Sequence, residues 1–97
     1  MMITFDTNDD MEHYMVENKY SIACTIVDKI VKLYPIDVPL QIMEWHCLEE
    51  DIAYDIECLP EHVCDTLEQN MEIMIQSEDY KRCSAIKKIL DVEYGNV

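Results

Sequence analysis

The residues best suited to metal binding or nucleophilic chemistry are three histidines and five cysteines in a chain of 97 residues. Four of them gather as His46-Cys47, His62 and Cys64, with Cys58 between. Cys58 and His62 are four apart, so one helix face would hold both, but Pro60 interrupts any such helix. No C-x-x-C pair is present, and structural zinc sites usually contain one. The expectation is that Cys47 and Cys64 pack in the core, with His46 and His62 exposed or used as caps, and that no metal is bound. A Cys-His nucleophile, drawing also on His13, would need a stabilised thiolate, and acidic surroundings raise a thiol's pKa instead. The single glycine, Gly95, rules out a glycine-rich phosphate loop. Paired carboxylates are too abundant to mark a catalytic dyad. The chain is therefore expected to be neither an enzyme nor a cofactor carrier.

The carboxylates themselves carry more information. Twenty-one acids against seven Lys and Arg give a formal charge of −14. That balance opposes direct binding to nucleic acid or anionic membranes and favours a protein with a basic surface. The acids are also segregated. Between Leu33 and Tyr80 there is no Lys or Arg, while Asp37, Glu44, Glu49, Glu50, Asp51, Asp55, Glu57, Glu61, Asp65, Glu68, Glu72, Glu78 and Asp79 all lie there. Most have no cation within i+4 reach, so helix-stabilising pairs do not explain them. A solvated face is the ordinary reading of exposed acids, but such faces normally mix both signs. Glu61, Asp65, Glu68 and Glu72 fall at i, i+4, i+7 and i+11. On one helix they would form a line about 16 Å long, with the apolar Val63, Leu67, Met71 and Met74 opposite. The expected partner-contact residues are these four with Glu49, Glu50, Asp51 and Asp55. Two aromatics join them. Trp45 is an interface anchor or a core residue, and Tyr80 opens the last helix.

The elements that would position these residues read as helices. Glycine is nearly absent, which argues against tight β-turns. Ile3 to Phe5 is a short β-like stretch. Thr7 or Asn8 caps a first helix that breaks near Asn18. Ile22, Ile26, Ile30 and Leu33 recur at helical spacing until Pro35, although β-branching leaves a strand as an alternative for Ser21 to Val27. Asp37 is expected to cap a helix running to about Glu57 on Leu40, Met43, Cys47, Leu48, Ile52 and Ile56. Pro60 opens the next helix, and Ser77 caps a last one bearing Tyr80, Cys83, Ile86, Ile89 and Leu90. The fold class expected is all-α: one domain, a bundle of four to five short helices. No apolar run reaches the roughly 20 residues of a membrane span. Five cysteines, an odd number, read as reduced thiols of a cytoplasmic protein.

Ser77-Glu78-Asp79-Tyr80-Lys81-Arg82-Cys83-Ser84-Ala85-Ile86-Lys87-Lys88-Ile89-Leu90 resembles the UVR-type helical hairpin of excision-nuclease subunits and assorted regulatory and phage proteins. Cys83-Ser84 replaces that motif's usual alanine pair, and Lys88 its usual acid. With residues 67–76 as the partner helix, the resemblance implies a helical protein-interaction element without catalytic residues. More weakly, Val38 to Met71 resembles the small late-transcription coactivators of T-even-like phages, through Leu48-Glu49-Glu50-Asp51-Ile52 and Leu59-Pro60. That likeness implies a bridge between RNA polymerase and a sliding clamp, although the expected clamp-binding tail is absent. Three readings follow: an acidic inhibitor or regulator of phage type that mimics nucleic acid on a basic target, as an anti-defence protein would; a helical adaptor acting through hydrophobic faces; or a small virion component. The oligomeric state is left open.

Overall fold

The computed structural model describes residues 2–95. It is not an all-α bundle. The chain runs β1 (Met2–Phe5), α1 (Asn8–Glu17), α2 (Lys19–Leu33), β2 (Leu40–Cys47), β3 (Ile52–Cys58), a 3-10 turn (Pro60–His62), α3 (Val63–Gln76) and α4 (Tyr80–Glu93). Four helices therefore pack with a three-stranded mixed sheet, and the expected helical bundle gives way to an α/β fold.

The correction falls on the segment from Leu40 to Glu57. It is a β-hairpin. Apolar residues recur every second position at Met43, Trp45 and Cys47, and again at Ile52, Tyr54, Ile56 and Cys58. That is the strand period, and it puts each set on one face of the pleat. Strand order is β1-β2-β3, with β1 parallel and β3 antiparallel to β2. Trp45 pairs with Ile3 on one side and Tyr54 on the other. A register irregularity between Gln41 and Met43 lets two successive residues, Ile42 and Met43, both be buried.

The turn between β2 and β3 uses no glycine. Asp51 takes the left-handed conformation there (φ 52°) and donates its backbone N–H to the Leu48 carbonyl. Aspartate tolerates this conformation better than most residues. Thr7 caps α1 by accepting from the Asp10 N–H at 3.1 Å, and Asn18 separates α1 from α2. Asp37 caps nothing, because Leu40 already starts β2. Ser77 closes α3 instead of capping α4. Beyond it Glu78 adopts φ 56°, Glu78 N–H donates to Ile75 and Asp79 N–H to Met74. This is a Schellman closure with glutamate where glycine usually sits. Asp79 then caps α4 through the Arg82 N–H.

The core lies between the sheet and a layer built from α2, α3 and α4. Ala23, Val27 and Ile30, then Val63, Leu67 and Met74, then Cys83, Ile86 and Ile89 are buried at helical spacing. They meet Phe5, Ile42, Met43, Trp45 and Cys58 from the sheet. Burying each large aliphatic contributes about 1.5–3 kcal/mol. Phe5, Tyr14 and Trp45 form an aromatic triangle with centroids 5.4–6.1 Å apart, joining β1, α1 and β2.

Candidate functional site

All seven Lys and Arg residues stand on α2 or α4. Of the twenty-one acids, Asp28, Asp91 and Glu93 share those two helices, and the other eighteen lie elsewhere, with no cation on their own elements. Cations and acids meet where α4 packs on α2. Arg82 grips both Asp28 carboxylate oxygens (2.8 and 2.7 Å) and reaches Asp79 at 2.7 Å. The Tyr20 hydroxyl donates to the same Asp79 at 2.6 Å. That donation, with those from Arg82, holds the Asp79 carboxyl at a pKa of about 2, below its usual value, and the same contact pushes Tyr20 upward.

The hairpin shows the opposite arrangement. Its helix-facing side carries Met43, Trp45 and Cys47 of β2 opposite Ile56, Tyr54 and Ile52 of β3. Its outer side carries Glu44, His46, Ala53, Asp55 and Glu57. Glu44 stands directly opposite Asp55, a like-charge pair that destabilises a sheet. Gln41 donates its side-chain amide to Asp55 at 3.2 Å, a neutral partner that leaves the charge in place. Glu57 is exposed opposite Gln41.

The expected contact residues are divided by this geometry. Glu49 and Glu50 leave the hairpin loop to hold the start of α1: Asn8 donates its backbone N–H to Glu49 and its side-chain amide to Glu50, each at 2.8 Å. Cys47 Sγ donates to the Asn8 side-chain amide oxygen, Oδ1, at 3.0 Å. Negative charge there suits the helix dipole. Asp51 stands 3.1 Å from His46 Nε2. Asp55 belongs to the outer sheet face. Asp65, Glu68 and Glu72 do line one exposed side of α3, but Glu61 sits in the 3-10 turn before it, so the α-helical line spans only about 10 Å. The Tyr94 hydroxyl donates to Glu68, which raises its own pKa. Trp45 is only 5% exposed, with its indole N–H directed at Met43 Sδ, so most of the side chain lies in the core. Tyr80 is 64% exposed at the start of α4, away from the hairpin in sequence.

Two residues missing from the expected set, Glu44 and Glu57, complete the outer face with Asp55. Their signal was present as alternation with Met43, Trp45 and Ile56. The cysteines and histidines do not converge. Cys47 and Cys58 sit at opposite ends of the hairpin, about 20 Å apart along the strands. Among the described residues no group of three or more His, Cys, Asp or Glu is placed to hold a metal, and all five cysteines are unpaired.

No family model, curated protein or solved structure matches the chain. Its fold and surface must carry the functional reading alone. Among the described residues no helix is long and apolar enough to cross a membrane. The segment before Ile52, expected as a helix, is the β2 strand and its loop, and α3 and α4 are consecutive helices packed on one another.

Proposed function

We propose that this is a non-enzymatic binding protein whose acidic outer hairpin face docks on a basic, nucleic-acid-binding surface of a target protein, in a reducing compartment such as the cytoplasm. The observation that carries the reading is the Glu44–Asp55 pair. Two carboxylates face each other across β2 and β3 with no cation on either strand. Such a pair costs the fold stability, and a lysine at either position would remove the cost. A surface kept acidic against that cost is suited to a cationic partner. Asp65 and Glu72 on α3 add exposed negative charge, and the whole surface strengthens association by steering. In this role the protein takes the place of nucleic acid on its target, as a small accessory regulator of phage type would.

The test is competition. Partners recovered with the immobilised protein are challenged with duplex DNA and with RNA. Displacement by nucleic acid, steeply favoured at low salt, is the expected result. A partner that holds nucleic acid and this protein at once contradicts the reading. A second reading, an adaptor working through apolar surface, is favoured by exposed Ile52, Tyr54 and Tyr80. It predicts that charge removal leaves recovery unchanged.

A further inference from the structure

β3 is an edge strand. Among the described residues the sheet order leaves it paired with β2 on one side only. Its seven residues span about 24 Å, and alternate backbone N–H and C=O groups point away from β2. Natural edges are usually guarded by lysine, proline, a bulge or a covering helix. β3 contains no lysine and no proline, and the register irregularity lies on β2. At the loop end its helix-facing side is partly open: Ile52 is 41% and Tyr54 37% exposed although Trp45, opposite Tyr54, is buried. What guards this edge is negative charge on its outer side, at Asp55 and Glu57.

That guard selects the occupant. A second copy pairing antiparallel through β3, centred on Asp55, would set Asp55 against Asp55 with Glu44 behind each, a row of four carboxylates. Like charges directly opposite destabilise a sheet. A strand with Lys or Arg at alternate positions reverses the sign, because each cation lands beside Asp55 or Glu57 on the outer face. Its intervening apolar residues then fall on the other face and cover Ile52 and Tyr54. We infer that β3 is a docking edge for an extended segment of a partner protein in which basic and apolar residues alternate, added to the sheet as a fourth strand. The inference rests on the reading of the outer face as a site for a basic partner and specifies how that partner engages it. Main-chain hydrogen bonds supply affinity, and the alternation sets register.

The test uses the whole chain and a peptide as long as β3 with alternating lysine and isoleucine. Two controls accompany it: the same composition with lysines and isoleucines in separate blocks, and the alternating peptide N-methylated at the amides of one edge. Binding and amide-hydrogen exchange are measured at low salt. The alternating peptide is expected to bind, to protect backbone amides within Ile52–Cys58, and to weaken about tenfold on N-methylation of the pairing edge, the loss of one or two hydrogen bonds. The blocked peptide should bind more weakly and protect no β3 amides. Replacing Asp55→Asn together with Glu57→Gln should weaken the alternating peptide while leaving the fold at least as stable. If the alternating and blocked peptides bind alike, without β3 protection and without sensitivity to N-methylation, the edge inference is overturned while acidic docking stands. If neither binds, the edge inference is again overturned, and nucleic-acid competition against recovered partners decides the broader reading separately.

Discussion

Asp79 at the start of α4 and Asp55 at the centre of β3 are both aspartates of the same small fold, yet they live in opposite surroundings. Asp79 receives Arg82 and Tyr20 and caps α4. Asp55 faces Glu44 and receives only a glutamine amide. Around the first, charges are matched and hold α2 to α4. Around the second, two carboxylates oppose each other with no cation on either strand, which works against the hairpin. The difference separates acids that serve folding from acids that the fold tolerates. Glu49 and Glu50 belong with the first group, because they hold the start of α1. Glu44, Asp55 and Glu57 belong with the second.

The contrast can be broken most forcefully at the core. Trp45→Ala should destabilise the protein by about 3–5 kcal/mol, since it empties the aromatic triangle beneath the hairpin. Chemical unfolding measures this, and a cost near zero would return Trp45 to the surface. Arg82→Met should lower the thermal midpoint by several degrees, because it leaves Asp79 and Asp28 without their cation. The pH dependence has the same origin. Hydrogen bonds from Tyr20 and Arg82 depress the Asp79 carboxyl to about 2, from an ordinary value of 3.8. Its contribution is therefore complete above about pH 4 and is lost as pH falls towards 2. Acid unfolding of the wild type should show this loss, and Asp79→Asn should be flatter across that window.

Smaller effects have the opposite sign. Glu78→Gly should stabilise by about 0.5–1 kcal/mol, since glycine takes the left-handed position without strain. Asp55→Asn should stabilise by about 0.5 kcal/mol by removing the repulsion from Glu44. The equivalent change at Glu49 or Glu50 should destabilise, because those carboxylates hold Asn8. A double-mutant cycle between Glu44 and Asp55 would show whether the two repel in solution.

Much of the helical part was legible. Thr7, Asn18, Pro35 and Pro60 mark element ends in the sequence and in the fold, and the spacing of Ile26, Ile30, Leu67 and Met74 is that of helices. The hairpin was not read, for two physical reasons. Its apolar positions Met43, Cys47, Leu48, Ile52 and Ile56 also satisfy helical spacing, so the strand alternation was masked. Its turn lacks glycine and asparagine, because Asp51 supplies the left-handed residue. The glycine count thus argued against a turn that aspartate makes. The candidate site was legible as a composition and not as a surface. Contacts such as Asn8 with Glu49, or Tyr94 with Glu68, join residues far apart in sequence, and no local pattern announces them.

The central claim is that the outer hairpin face is kept acidic for a cationic partner. Its most direct test is the triple change Glu44→Gln, Asp55→Asn and Glu57→Gln, with unfolding free energy and partner affinity followed across a salt series. The account predicts a more stable protein that binds more weakly and with a shallower salt dependence. Unchanged affinity and slope, in a variant that folds normally, would contradict it.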